Sequence, residues 1–129
     1  MNMSTVDAQV SGTAAQLLAA ANQVLVQEGF QVANENTAAG VLSTAPRSMH
    51  LAPADANCGA FNGVNYLQDK RTSTTLAYDV AATPDHLHIV AKMSGTFLPG
   101  NDVQSVTLNC VSTGVLEQKL VQRIKAARR

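Results

Sequence analysis

The chain has 129 residues, enough for one domain with a two-layer core. Nine basic residues balance nine acidic ones and only 14% of residues are charged, so nothing in the overall charge points to nucleic acid. No apolar run approaches the ~20 residues needed to cross a bilayer, and no basic-then-apolar leader opens the chain.

The opening, MNMSTVDAQVSG, is small and polar after a second methionine. It predicts a flexible tether over residues 1–10, of the kind left when a signal peptide and a lipid-bearing cysteine are removed upstream. Residues 11–129 then form a single domain. Within it, residues 13–28 place Ala14, Leu17, Leu18, Ala21, Val24 and Leu25 on one face at helical spacing. Ser11 or Thr13 is suited to cap this helix and Gly29 to end it. FQVAN alternates as a half-buried strand does, ENTAAG is a turn, and VLSTA is a second short strand.

Residues 46–63 have no period and are rich in proline, alanine, glycine and asparagine, which predicts a long loop. Loops this long in small domains are functional or tied down. Strand signals follow at VNYLQ (64–68), at 72–82 with Leu76, Tyr78 and Val80 on one side, and at 86–93 with Leu87, Ile89, Ala91 and Met93 inward. His86, His88, Val90 and Lys92 face the other way. VQSVTLNC places Val106, Leu108 and Cys110 on one face. Val115, Leu116, Leu120, Ile124 and Ala127 then follow helical spacing, with a start at Ser112 or Gly114 and a basic last turn that suits the helix dipole. Hairpin-length turns make the later strands antiparallel. The expected fold is α+β: a two-layer sandwich, mainly antiparallel, covered on one face by an N-terminal and a C-terminal helix.

Two residues raise the question of chemistry. Cys110 near a helix start has the placement of an activated thiol, with His50, His86 or His88 as the base it would need. No local signature of a thiol enzyme accompanies it. The other reading is a disulfide with Cys58, the second of two cysteines, which would tie the long loop to a core strand and point to an oxidising compartment. The balance of the sequence lies with the bridge. His86 and His88 share a strand face and are weak candidates for a metal, since no complete ligand set accompanies them; a solvated polar face is the ordinary alternative. The basic end of the last helix is likewise read as solvated. Phe97-Leu98 is read as a loop anchor rather than an exposed apolar pair. There is no phosphate loop, dinucleotide fingerprint or nucleophile elbow, and no cofactor is expected.

The segment VLVQEGFQVANENTAAGVLST (24–44) resembles the repeated unit of BamC-like outer-membrane lipoproteins and other small periplasmic lipoprotein domains, in which GF-x-V is followed by G-x-[LI]-x-[ST]. The resemblance implies a periplasmic domain anchored to the outer membrane by lipid, acting in docking or envelope assembly. The chain departs from that family in its cysteine pair, its long loop and its single unit. The resulting expectation is a non-catalytic module that binds an envelope protein, through the loop residues Arg47, Met49, His50 and Phe61 and the uncovered sheet face. The alternative is a carrier of a small hydrophobic ligand or lipid, held between sheet and helices; a thiol enzyme ranks below both.

Overall fold

The computed structural model describes residues 4–61, 63–99 and 104–128. In chain order its elements are β1 (Ser4–Gln9), α1 (Ala14–Gln27), β2 (Val32–Asn36), β3 (Val41–Thr44), β4 (Arg47–Ser48), β5 (Ala56–Asn57), β6 (Ala60–Phe61), β7 (Val64–Asn65), a 3₁₀ turn (Tyr66–Gln68), β8 (Thr72–Thr83), β9 (His86–Phe97), β10 (Val106–Asn109), β11 (Val111–Ser112) and α2 (Val115–Arg128). The long strands β8 and β9 pair antiparallel along their whole length, from Thr72↔Phe97 to Thr83↔His86. The main sheet runs β1-β9-β8-β3-β2, with β10 continuing along β9 and β4 along β8.

Strand alternation divides the sheet into two unlike faces. Leu76, Tyr78, Val80 and Ala82 of β8 and Leu87, Ile89, Ala91 and Met93 of β9 point to one side and are buried. Both helices lie there, through Leu17, Leu18, Ala21, Val24 and Leu25 of α1 and Leu120, Val121 and Ile124 of α2. Phe30 and Tyr78 meet edge to face, 5.3 Å between ring centres. Burial, and secondarily the charge of Glu28, raises the Tyr78 phenol above its usual pKa. The α+β two-layer sandwich with its two terminal helices is therefore the fold observed.

Local chemistry explains the boundaries of α1. Thr13 and Gln16 form a reciprocal capping box, each side chain bonded to the other's backbone N–H. At the other end Gly29 has φ +91°. Its N–H donates to Val26 O, and the Phe30 N–H reaches back to Leu25 O at 2.9 Å. This is a glycine-terminated helix end that also delivers Phe30 to the core. Gly40 ends the β2–β3 turn at φ +74°, where a Cβ would lie 2.5 Å from the Ala82 carbonyl oxygen.

Five expectations need correction. Residues 4–9 are not a tether: β1 pairs with β9 in register from Ser4↔Ala91 to Gln9↔His86. The cause is an alternation carried by small residues, since Val6 and Ala8 pack on the core while Thr5, Asp7 and Gln9 face out. Residues 46–63 are not structureless either. β4 pairs with β8, and β5 pairs with β11 through Val111↔Asn57 and Ser112↔Ala56. Leu51 and Ala56 are buried within this segment, so its few apolar side chains suffice to anchor it. VNYLQ is a two-residue strand followed by a 3₁₀ turn, because the Asn65 side chain caps Leu67 N–H at 2.9 Å and draws the chain out of extension. Val106 is 41% exposed, unlike Leu108 and Cys110, because it lies at the outer end of β10. The pair at 97–98 divides: Phe97 is buried beside Tyr66, and Leu98 is 51% exposed.

Candidate functional site: the open sheet face and its groove

Cys58 and Cys110 are joined by a disulfide spanning 52 positions. Cys110 therefore has no thiol to serve as a nucleophile, and the bond ties the 49–68 segment to the strand that leads into α2. Glu117 is fully buried, and both carboxylate oxygens accept from the Ser112 hydroxyl at 2.7 and 2.8 Å. Ser112 in turn accepts from Gly114 N–H. Glu117 lies in the first turn of α2, where a negative charge meets the positive end of the helix dipole.

The helices leave the other face of the sheet uncovered. Its members come from alternate positions: Thr5, Asp7 and Gln9 of β1, even-numbered residues of β9, and odd-numbered residues of β8. At one end, Asp7 Oδ1 lies 2.5 Å from His88 Nδ1 and 3.6 Å from His86 Nε2. The hydrogen bond with His88, followed by the charges of the two imidazoles, lowers the Asp7 pKa from its ordinary 3.8. Mid-face, Lys92 pairs with Asp79 at 3.2 Å. The two histidines are thus tied to a carboxylate in an ion-pair arrangement, and among the described residues no group of three ligands is spaced to hold a metal ion.

At the far end the face descends into a groove of about 400 Å³. Hydroxyl side chains dominate its wall: Ser48 from β4, Ser73 and Thr75 from β8, and Ser94 and Thr96 from β9, with Thr72 and Thr74 turned to the opposite face. Thr75 and Ser94, opposite each other in register, share a hydrogen bond. Thr74 is saturated: its hydroxyl donates to Met49 O and accepts from Leu51 N–H. Thr72 is 6% exposed, and its hydroxyl has no hydrogen-bond partner among the described residues.

The structure separates the loop residues singled out in the sequence. His50 lines the groove, and Met49 borders it while its side chain packs against the core. Arg47 points the other way, with its guanidinium 5.5 Å from the centre of the Phe30 ring and Nη1 3.8 Å from Met49 Sδ, so it serves the packing of β4. The side chain of Phe61 lies outside the described residues. His50 is at the opposite end of the face from His86 and His88, roughly 20 Å along β9 by strand rise. The sequence reading missed Asp7, assigned to the tether, and the hydroxyl row. TSTT before Leu76 is a visible signal for the row, since it continues the strand alternation with hydroxyls on both sides.

This α+β arrangement of two helices on one face of an antiparallel sheet is found in other solved structures. Two solved structures share it: a TBP-like protein from Parabacteroides distasonis (TM-score 0.55, 13% identity, covering 81% of this chain and 63% of that one) and a DUF4468 family protein from Bacteroides ovatus (TM-score 0.54, 10% identity, covering 81% and 59%). The chain spans about three fifths of each neighbour's length. At these identities the likeness is one of fold. No protein-family model matches the chain, and no curated protein matches it.

Proposed function

We propose that the domain is a non-catalytic docking module of the cell envelope, periplasmic and lipoprotein-derived, which presents its open sheet face to a protein partner at the outer membrane. One observation carries this reading: both helices lie on one side of the sheet, leaving on the other a broad face whose charged groups are paired with one another. The disulfide supports an oxidising compartment. The BamC-like pattern of residues 24–44, which form the end of α1 and the β2–β3 hairpin, supports the lipoprotein link. The face has one lysine, already paired with Asp79, and it bears Asp7 as well. That charge pattern opposes a phosphate backbone and favours a protein surface. The helix–sheet interface is filled by fully buried Leu17, Leu25, Leu76, Ile89 and Ile124, which favours docking over a lipid carrier.

The test is site-specific photo-crosslinking in cells that export the domain to the periplasm. A crosslinker replacing Thr83 or Ala81 on the open face is expected to trap one envelope protein, and one replacing Gln23 on α1 is not. Trapping from Gln23 alone, or retention of the crosslink in a Lys92→Glu, Thr75→Arg variant, sinks the proposal.

A further inference from the structure

We propose that the free edge of β1 takes up an extended, acidic segment of a protein partner as an added strand, with the carboxylates of that segment against Lys125 and Arg128. This goes beyond the docking reading, which concerns the open face, and does not depend on it.

The main sheet has two outer edges, and they are unlike. β2 is guarded: a bulge breaks its register between Val32 and Asn34, and it carries Glu35, whose carboxylate accepts from the Asn22 side chain of α1 at 2.7 Å. Such devices keep a strand edge from pairing with another chain. β1 has none of them. Its register with β9 is unbroken from Ser4↔Ala91 to Gln9↔His86, it contains no proline or lysine, and among the described residues no strand pairs with its outer side. Its one charged side chain, Asp7, is turned to the open face and tied to His88. Alternate residues of β1 therefore turn N–H and C=O groups outward, where a strand can add.

Burial agrees with this. Val6 and Ala8 point to the helix side but are only partly buried, whereas Ile89 and Leu87, their partners on β9, are fully buried. Apolar surface is left open along the outer flank of β1, and a strand with apolar residues at alternate positions would cover it.

Charge chooses the occupant. Where β1 ends, Gln9, Val10 and Ser11 together with Lys125 and Arg128 of α2 line a recess of about 290 Å³ that has no acidic residue in its wall. Arg128 donates to Ser11 O and Gln16 Oε1, and Lys125 has no hydrogen-bond or ion-pair partner among the described residues. Two cations without a carboxylate thus stand at the end of an open edge. A second copy of this chain does not supply what they lack, since the acid of its β1 is the Asp7 already held by His88. A foreign strand with acidic residues does. Antiparallel addition, the more stable pairing, places the leading end of that strand at the recess.

The experiment follows amide resonances of the oxidised domain during titration with two blocked eight-residue peptides of alternating valine and threonine, one opening with two glutamates and the other with two lysines. The glutamate peptide is expected to shift the amides of β1 and of Lys125 saturably, and the lysine peptide to bind about 5-fold more weakly. In Lys125→Glu, a change on the surface of α2, that order is expected to reverse. N-methylation of one alternate set of peptide nitrogens is expected to abolish binding and methylation of the other set to leave it, since only one set faces β1. No saturable shift, shifts centred away from β1, equal affinity for the two peptides, or indifference to both methylation patterns overturns the proposal. So does a dimer of the domain alone, joined through β1, that neither peptide displaces; the edge then belongs to a second copy.

Discussion

A carboxylate buried as completely as Glu117 must be compensated locally, and Ser112 supplies the hydrogen bonds. Ser112→Ala leaves the charge with the helix dipole alone. The expected loss is about 1–3 kcal/mol in urea unfolding, with the m-value unchanged. Ser112→Thr, which restores the hydroxyl, should recover most of it. Neither residue stood out in the sequence as a pair: VSTGVLEQ reads as a capping stretch, and nothing in the pattern says that the glutamate turns inward.

Among the elements, β1 is the least expected and the most exposed to solution conditions. Its bond to the sheet includes the Asp7 carboxylate against His88 and His86. Because the Asp7 pKa is lowered in the fold, this contribution is present above about pH 4 and fades as pH falls through the lowered value. Amides of β1 should therefore exchange faster relative to those of β8 as the solution is acidified from pH 5 to pH 3. Asp7→Asn should remove that difference; a β1 that stays equally protected at both pH values refutes the role given to the carboxylate. The helices and the paired strands β8 and β9 were legible because long, strongly periodic segments bury large side chains. β1 was not legible because Val6 and Ala8 are small and the pairing partner lies some eighty positions away. The open face was legible in part. His86, His88 and Lys92 follow from alternation alone, whereas the groove depends on β4 arriving beside β8, a long-range pairing that no local pattern encodes.

For the molecule as a whole, the disulfide does what few aromatic side chains cannot. It closes a loop of 52 positions between the 49–68 segment and the strand before α2. In the chain-entropy view this contributes about 4 kcal/mol by restricting the unfolded chain. Reduction, or Cys58→Ser with Cys110→Ser, is expected to lower the urea midpoint accordingly and to loosen the groove border at Met49 and His50 first. Free thiols in denatured protein taken from an oxidising compartment, without reductant, would remove the premise. The placement of β1 has a mechanical consequence. A load applied at the start of the chain and directed along the strand does not peel β1 away one bond at a time. It shears all the cross-strand pairs from Ser4↔Ala91 to Gln9↔His86 in parallel, so the domain resists a pull from its own leading end far better than one applied at right angles to it.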